Sequence, residues 1–528
     1  MDEVKEIVEK KRDIKLKIKA WLKDYENIVL LAVLIFAFAL RWQFFILTKN
    51  QPFWWDEASY GIIAKSFISN TFDSNTLVIN EIIIRPLLLS IMWAGLMLME
   101  MPEHWSKFIL EFIPSILSVF FVYLVGKEIY NKRVGIISAF IFSVIWIHLF
   151  YTMRFLTDVP QLVFLFSSIY YFILATKKEF DYKYFSISLF LLSLGTLMKY
   201  PNGMVFVIYF IILLFGKQLY LNKKKFWYCG IAGVSPMLLA VLLNYFLSGD
   251  FISRFIGANF GNASEQVARP IAYNLLNYIS IYLQNIFFLI FLIGCAILLF
   301  EAFIRYNYIF KNKKLRDSLL LALIMIAFFS FFIFYLRSAD DRYFLPTTIT
   351  MSIFAGFGLG YIYDLLRKYH QIFAILVIVV ILFFGAKAQI KQADDIIKLR
   401  SESFLQIKQG MLWLKANAPA GSEIVGIGLD PYAIYYGDIN MTSDITENDS
   451  VRINNADYLI VHVFPPENFL MQYVQDNQDV WQPINGFFLD KENTQAGLII
   501  YKNTGKKIDA GEELISSEEN TLLTSSQE

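Results

Sequence analysis

From residue 27 to residue 389 the chain alternates long apolar runs with short polar, lysine-rich stretches, and then changes character. The runs cover 27–47, 107–126, 134–151, 159–176, 184–198, 203–216, 226–247, 277–303, 318–336, 344–366 and 371–389. A helix crosses a bilayer core with about 20 apolar residues, so each run is expected to be a membrane helix. Residues 85–101, beginning Arg85-Pro86-Leu87, are apolar and nearly long enough to span, but passing from outside at 84 to inside at Lys127 needs an odd number of crossings. Read as re-entrant or interfacial they leave 11 crossings; the alternative is a twelfth helix with one other run miscounted. Beyond 390, residues 391–418 read as helix, with Trp413 and Leu414 on its apolar face. Glu423 to Gly428 and Ala456 to Val463 have the short, β-branched look of buried strands. Pro431 to Tyr436 lies between them like a helix start, so strand, helix, strand predicts a small α/β domain. The expected organisation is an amphipathic segment over 1–26, a membrane core over 27–390 with its first outer loop at 48–84, an α/β domain over 391–511, and a disordered polar tail over 512–528.

Composition agrees with this pattern. Of 528 residues, 56% are hydrophobic and 18% charged, against about 25% charged in soluble proteins, and mean hydropathy is +0.48. A net charge of +1 offers nothing to a nucleic acid. Cys229 and Cys295 both fall inside apolar runs, which gives no disulfide framework. His104, His148, His370 and His462 are scattered without metal-ligand spacing. The first 25 or so residues are too long and too acidic for a cleaved signal peptide; they read as a cytosolic helix feeding an uncleaved first crossing.

Charge then orients the chain, because basic residues collect in cytoplasmic loops. Lys5 to Lys23 precede the first run. Further clusters follow at Lys127/Lys132/Arg133, Lys177/Lys178/Lys183, Lys217/Lys223/Lys224/Lys225, Arg305 to Arg316 and Arg367/Lys368. From residue 127 onward they occupy every second loop. The N-terminus is therefore expected in the cytoplasm of a multi-pass cell-membrane protein, and the C-terminal domain outside.

The loops assigned to the outer face collect the unusual charges, and charges at membrane level mark function by default. The first contains Pro52-Phe53-Trp54-Trp55-Asp56-Glu57, a carboxylate pair after two interfacial tryptophans. Others carry Arg154-Phe155-Leu156-Thr157-Asp158, Lys199-Tyr200-Pro201 and Asp340-Asp341-Arg342-Tyr343. Each has a plain structural reading. Asp56 would cap a helix starting at Ala58, and Asp158 one starting at Pro160. Lys199 and Arg342 would snorkel to head groups, and Asp340-Asp341 would be a solvated turn. Their gathering on one face favours instead a site that handles an anion and a proton. Cations at head-group depth suit a lipid-linked phosphate, and a nearby carboxylate suits a general base.

At these residues the chain resembles the GT-C superfamily of membrane glycosyltransferases, specifically the protein O-mannosyltransferase and lipid A aminoarabinose transferase group, glycosyltransferase family 39 and its relatives. Asp56-Glu57 matches the acidic motif of the first outer loop. Asp158 matches the second-loop motif, and Arg342-Tyr343-Phe344-Leu345-Pro346 is similar to the segment that ends the core. The resemblance covers about residues 27 to 366 and implies a GT-C-like helical core of about 11–13 helices. It implies an inverting transfer from a polyprenyl- or dolichyl-phosphate sugar to a protein, lipid or glycan acceptor. Asp56 would be the base, with Glu57 and Asp158 near acceptor or sugar. Arg85, Arg154, Lys199, Tyr200, Arg342 and Tyr343 would face the lipid phosphate and sugar. The chain departs from the family at Ile84-Arg85-Pro86-Leu87-Leu88, where many relatives carry an acid and two prolines; Arg85 is left to replace the cation. The sequence requires no cofactor, while the oxygens of Asp56, Glu57, Asp158 and Asp341 are compatible with a divalent metal.

Two other classes compete. A secondary transporter or flippase would also have many helices and intramembrane charges, but usually near the midplane and in repeated halves; no repeat is visible here. A structural assembly factor would use the 391–528 region for docking and leave the loop carboxylates without purpose.

Overall fold

The computed structural model describes residues 21, 23–69, 85–177, 179–248, 270–337, 340–443, 445–463, 469–489 and 494–505. The expectations for residues 1–20, for the later part of the first outer loop and for the tail from 512 lie outside them. The chain divides into two compact units, one of Met1–Asn50 and Ser66–Ser401, the other of Gln51–Lys65 and Glu402–Glu528.

In the first unit the apolar runs fold as helices close to their expected bounds. Among the described residues seven helices are long and apolar enough to cross a membrane, or eight if the bent pair Lys132–Val144 and Trp146–Thr152 is one span. Pro160–Ala175, Tyr182–Met198 and Tyr200–Phe215 are shorter apolar helices. The chain is a multi-pass membrane protein. The Leu88–Leu98 helix has 11 residues, about 16 Å of rise, roughly half a bilayer core. It is too short to span by itself, whereas the 27 residues Glu103–Ile129 that follow are long and apolar enough to cross.

Polar side chains start the helices at the lysine-rich end. Asn131 accepts from the Val134 N–H at 2.9 Å, Asp181 from that of Lys183 at 2.8 Å, and Asn312 from that of Leu315 at 3.3 Å. Each satisfies a donor that the first turn cannot. The charged loops at this end also pair with one another: Lys132 with Asp24, Lys177 and Lys313 with Glu128, Arg133 with Asp364. The clusters read from sequence as one membrane side therefore meet in space.

Backbones approach closely where the Tyr278–Ile304 and Thr348–Leu366 helices cross. A Cβ at Gly358 would lie 2.6 Å from the Ile290 carbonyl oxygen, and one at Gly294 would overlap that of Phe354. Small residues permit such contacts between membrane helices. Gly294→Val is expected to cost about 1–3 kcal/mol or more through overpacking, visible as a lowered melting temperature in detergent. A variant as stable as wild type would show that the crossing relaxes freely.

Two helices are interrupted. The chain bends by 59° between Lys132–Val144 and Trp146–Thr152. The Tyr278–Ile304 helix breaks at Gln284, whose φ is +52°. Gln389 serves both breaks, accepting from the Trp146 N–H and donating to the Tyr282 carbonyl, each at 2.8 Å. The Trp146 indole donates to the Ile281 carbonyl at 2.9 Å.

The Gln371–Arg400 helix runs unbroken through residue 391. The polarity change near 390 marks where that helix turns polar, not where it ends.

The second unit holds a four-stranded sheet, β1 (Ile424–Val425), β2 (Tyr458–His462), β3 (Trp481–Phe488) and β4 (Ala496–Asn503), in the order β1-β2-β4-β3. β1 and β2 are parallel, and the other pairings antiparallel. The expected strand at Glu423 to Gly428 shrinks to two residues because Gly428 takes φ +64° and turns the chain. Val425, Ile453, Leu459, Val461, Leu470, Val474 and Trp481 form the core under the sheet.

Candidate active site

The three loops after residue 150 come together in the membrane unit. The Lys199 ammonium donates to the Asp158 carboxylate and lies 5.1 Å from the centre of the Tyr343 ring. Asp158 is 1% exposed. The Pro160–Ala175 helix after it has Val159 as its cap residue, with no side-chain capping bond. Asp158 therefore grips a cation instead of capping, and Lys199 is held at its helix end instead of snorkelling. Tyr343 is fixed from behind by Phe332, stacked at 4.7 Å with 8° between planes.

Arg342 is set by its own loop. Its Nε donates to Asp340 at 2.7 Å, and its backbone N–H to the same carboxylate at 3.2 Å. The guanidinium carbon lies 5.6 Å from the Tyr343 ring centre. Asp340 thus starts the short 3₁₀ turn Asp341–Thr347 and orients the arginine together. Asp341 is held by two tyrosines: the Tyr151 hydroxyl donates to its carboxylate at 2.6 Å, and that of Tyr282 to its carbonyl. Both tyrosines belong to the interrupted helices, Tyr151 to Trp146–Thr152 and Tyr282 to Tyr278–Ile304. The Tyr200 hydroxyl donates to the Arg85 carbonyl at 3.1 Å, and Arg154 is buried in the turn after Trp146–Thr152.

Asp56 and Glu57 belong to the second unit. Their helix, Trp55–Ser69, begins three residues earlier than expected. Glu57 accepts from the Trp54 N–H at its start and is buried. Asp56 is half-buried in the first turn, where a carboxylate is favoured by the helix dipole. Among the described residues no group of three His, Cys, Asp or Glu side chains is arranged to hold a metal ion.

Sequence reading missed the charges deepest in the bundle. Arg41 is fully buried. It donates to Ser115 Oγ at 2.6 Å, to the Ala37 and Ser143 carbonyls at 3.1 and 3.0 Å, and contacts His148 Nδ1 at 2.9 Å. His148 and Thr152 lie on the same short helix as Tyr151, and Thr152 donates to Ser115 at 2.9 Å. Glu111 is likewise fully buried, in the π turn Phe108–Phe112. The signal was available, since both charges interrupt apolar runs.

Comparison with known proteins identifies the fold of this chain. The dolichyl-phosphate-mannose-protein mannosyltransferase family matches residues 85–243. No curated protein matches the chain significantly. Among solved structures, the archaeal oligosaccharyltransferase AglB from Archaeoglobus fulgidus, in complex with an inhibitory peptide and a dolichol-phosphate, is 14% identical over 93% of this chain and 75% of its own, with a TM-score of 0.58. ArnT from Cupriavidus metallidurans, bound to undecaprenyl phosphate, is 12% identical over 92% of this chain and 98% of its own, with a TM-score of 0.57. The arabinofuranosyltransferase AftD from Mycobacteria is 10% identical over 90% of this chain and 42% of its own, with a TM-score of 0.51. The chain has the GT-C fold that its loop motifs resembled.

Proposed function

We propose that this protein is a membrane glycosyltransferase that moves a sugar from a polyprenyl- or dolichyl-phosphate donor to a protein, lipid or glycan acceptor on the outer face of the cell membrane. The observation that carries the reading is the held cation pair. Lys199 is fixed by Asp158 and Tyr343, and Arg342 by Asp340, within a fold whose neighbour ArnT was solved with undecaprenyl phosphate. Fixed cations bind a phosphate with little reorganisation, and arginine adds a two-pronged grip.

Asp56 takes the proton of an acceptor hydroxyl as that oxygen attacks the anomeric carbon. The bond from that carbon to the phosphate oxygen breaks on the opposite side, inverting the centre. Lys199 and Arg342 take up the charge that grows on the departing lipid phosphate, with Arg85, Arg154, Tyr200 and Tyr343 as further contacts to phosphate and sugar. This transfer needs no nucleotide at the site. The N-terminus is cytoplasmic in this reading, and the C-terminal domain lies outside.

Reconstituted protein offered a panel of polyprenyl-phosphate sugars tests the proposal. Wild type should release lipid phosphate from one of them. Arg342→Gln should raise the KM for that donor about 10–100-fold, the worth of a hydrogen bond to a charged group. Release by none of the panel, or an unchanged KM, would remove this reading.

A further inference from the structure

The segment 51–65 is part of the C-terminal unit, and Phe53, Trp55 and Lys65 fasten it there. Before the helix, the Phe53 N–H donates to the Tyr436 hydroxyl at 3.0 Å, and the Phe53 ring packs on Tyr435 at 5.2 Å. In the first turn, Trp55 meets Tyr432 edge-on at 5.8 Å. It also lies over Gly428, where a Cβ would come within 3.0 Å of the indole. Ten residues further on, the Lys65 ammonium donates to the Tyr435 carbonyl at 2.7 Å and to Asp438 at 3.3 Å, and stands 4.6 Å from the centre of the Tyr435 ring.

All these partners except Gly428 come from one stretch, Asp430 to Asp438. It begins as a helical turn and widens into a π turn over Ala433–Gly437. Asp438 closes it in the left-handed region, at φ +51°, a conformation that costs free energy in a residue with a Cβ. The same carboxylate also receives Lys415. Burial works to raise its pKa, but the ammonium groups of Lys415 and Lys65 outweigh that and hold it below the ordinary aspartate range. The stretch is therefore strained at its end and tied down by two lysines, while it holds the Asp56 helix before its first turn, in it, and about 15 Å along its axis.

We infer that the Asp430–Asp438 stretch is a positioning clamp that sets the first turn of the Trp55–Ser69 helix, and with it the Asp56 carboxylate, so that the C-terminal domain acts on the chemical step. The inference rests on the reading of Asp56 as the base. Its residues are positioning residues, since they touch the helix and not the reacting atoms. The clamp should govern turnover and leave donor affinity alone, because the cations proposed for the phosphate belong to the other unit.

The test uses the full-length protein in lipid nanodiscs, with Tyr436→Phe, Lys65→Met and Lys65→Arg. Tyr436→Phe deletes the acceptor of the Phe53 amide, Lys65→Met removes the far anchor, and Lys65→Arg keeps a cation for the same oxygens. Amide hydrogen exchange over residues 53–58 is read without turnover. It should speed up about tenfold in the first two variants, as for one lost hydrogen bond, and stay near wild type in Lys65→Arg. With the polyprenyl-phosphate sugar that wild type turns over, kcat should fall by about the same factor while KM changes less than about twofold. Unchanged exchange in both variants would overturn the clamp. Faster exchange with unchanged kcat, where Asp56→Asn is inactive, would overturn its part in catalysis. A fully active Asp56→Asn would instead overturn the base and, with it, the purpose assigned to the clamp.

Discussion

Asp56→Asn is expected to lower sugar transfer by about 10²–10⁴-fold, the usual worth of a positioned general base. The substitution keeps shape and removes only the ability to take a proton. Asp56 is half-buried in the first turn of its helix, while its neighbour Glu57 is buried and accepts from the Trp54 N–H. The adjacent carboxylates should therefore respond differently. Glu57→Gln keeps an acceptor for that N–H and loses only the charge, so a change of about tenfold or less is expected, near the net value of one hydrogen bond. Initial rates of lipid-phosphate release with saturating donor measure both, and equal melting temperatures exclude misfolding as the cause. Full transfer by Asp56→Asn would take this residue out of the chemistry, and a larger loss in Glu57→Gln would exchange the two roles.

The second large effect is expected at Lys199. Lys199→Met removes the partner of an Asp158 that is 1% exposed. Stranding one member of a buried pair costs about 3–5 kcal/mol. Activity and stability should fall together, which by itself says nothing about phosphate. The double variant Lys199→Met/Asp158→Asn separates them. With the buried charge gone, most of the lost stability should return, while transfer stays low because no ammonium faces the leaving group. Melting curves and donor KM on the four proteins of this cycle provide the readout. Recovery of transfer along with stability would mean that Lys199 only neutralises Asp158.

The helical core was legible because membrane helices announce themselves locally. An apolar run such as 371–389 must satisfy its backbone internally wherever it lies in the bundle, and lysines mark one side at every second loop. Residues 85–101 were set apart by parity and not by length, since an odd number of crossings must take the chain from outside at 84 to inside at Lys127; the 11-residue length of Leu88–Leu98 came only from the structure. Of the loop residues singled out in sequence, Lys199 touches both Asp158 and Tyr343, and Arg342 stands next to Tyr343. Their partners were not legible. Nothing near Asp341 in sequence points to Tyr151 and Tyr282, because helix packing chooses them. Glu57 reaches the Trp54 N–H because the helix starts at Trp55, and boundaries of that kind depend on which side chain reaches the first amides. In the C-terminal domain the β3–β4 hairpin was missed. β3 contains Pro483 and exposed polar positions, so it lacks the apolar run that identified β2. The assignment of residues 51–65 to the second unit depends on contacts across more than 360 positions, such as Phe53 with Tyr436, which no local pattern encodes.

Gln389 joins two interruptions with one side chain, accepting from Trp146 and donating to Tyr282. The bond to Tyr282 holds the segment that steadies Asp341 from one side, and the bond to Trp146 opens the short helix that bears Tyr151. In mutational terms, position 389 is a shared word in two sentences. Replacing its amide by a leucine would strand a donor in one helix and an acceptor in the other, at a position that is fully buried. A substitution at 389 is therefore tolerable only alongside repair at both distant breaks, and a lineage that straightens one of these helices still needs the glutamine for the other.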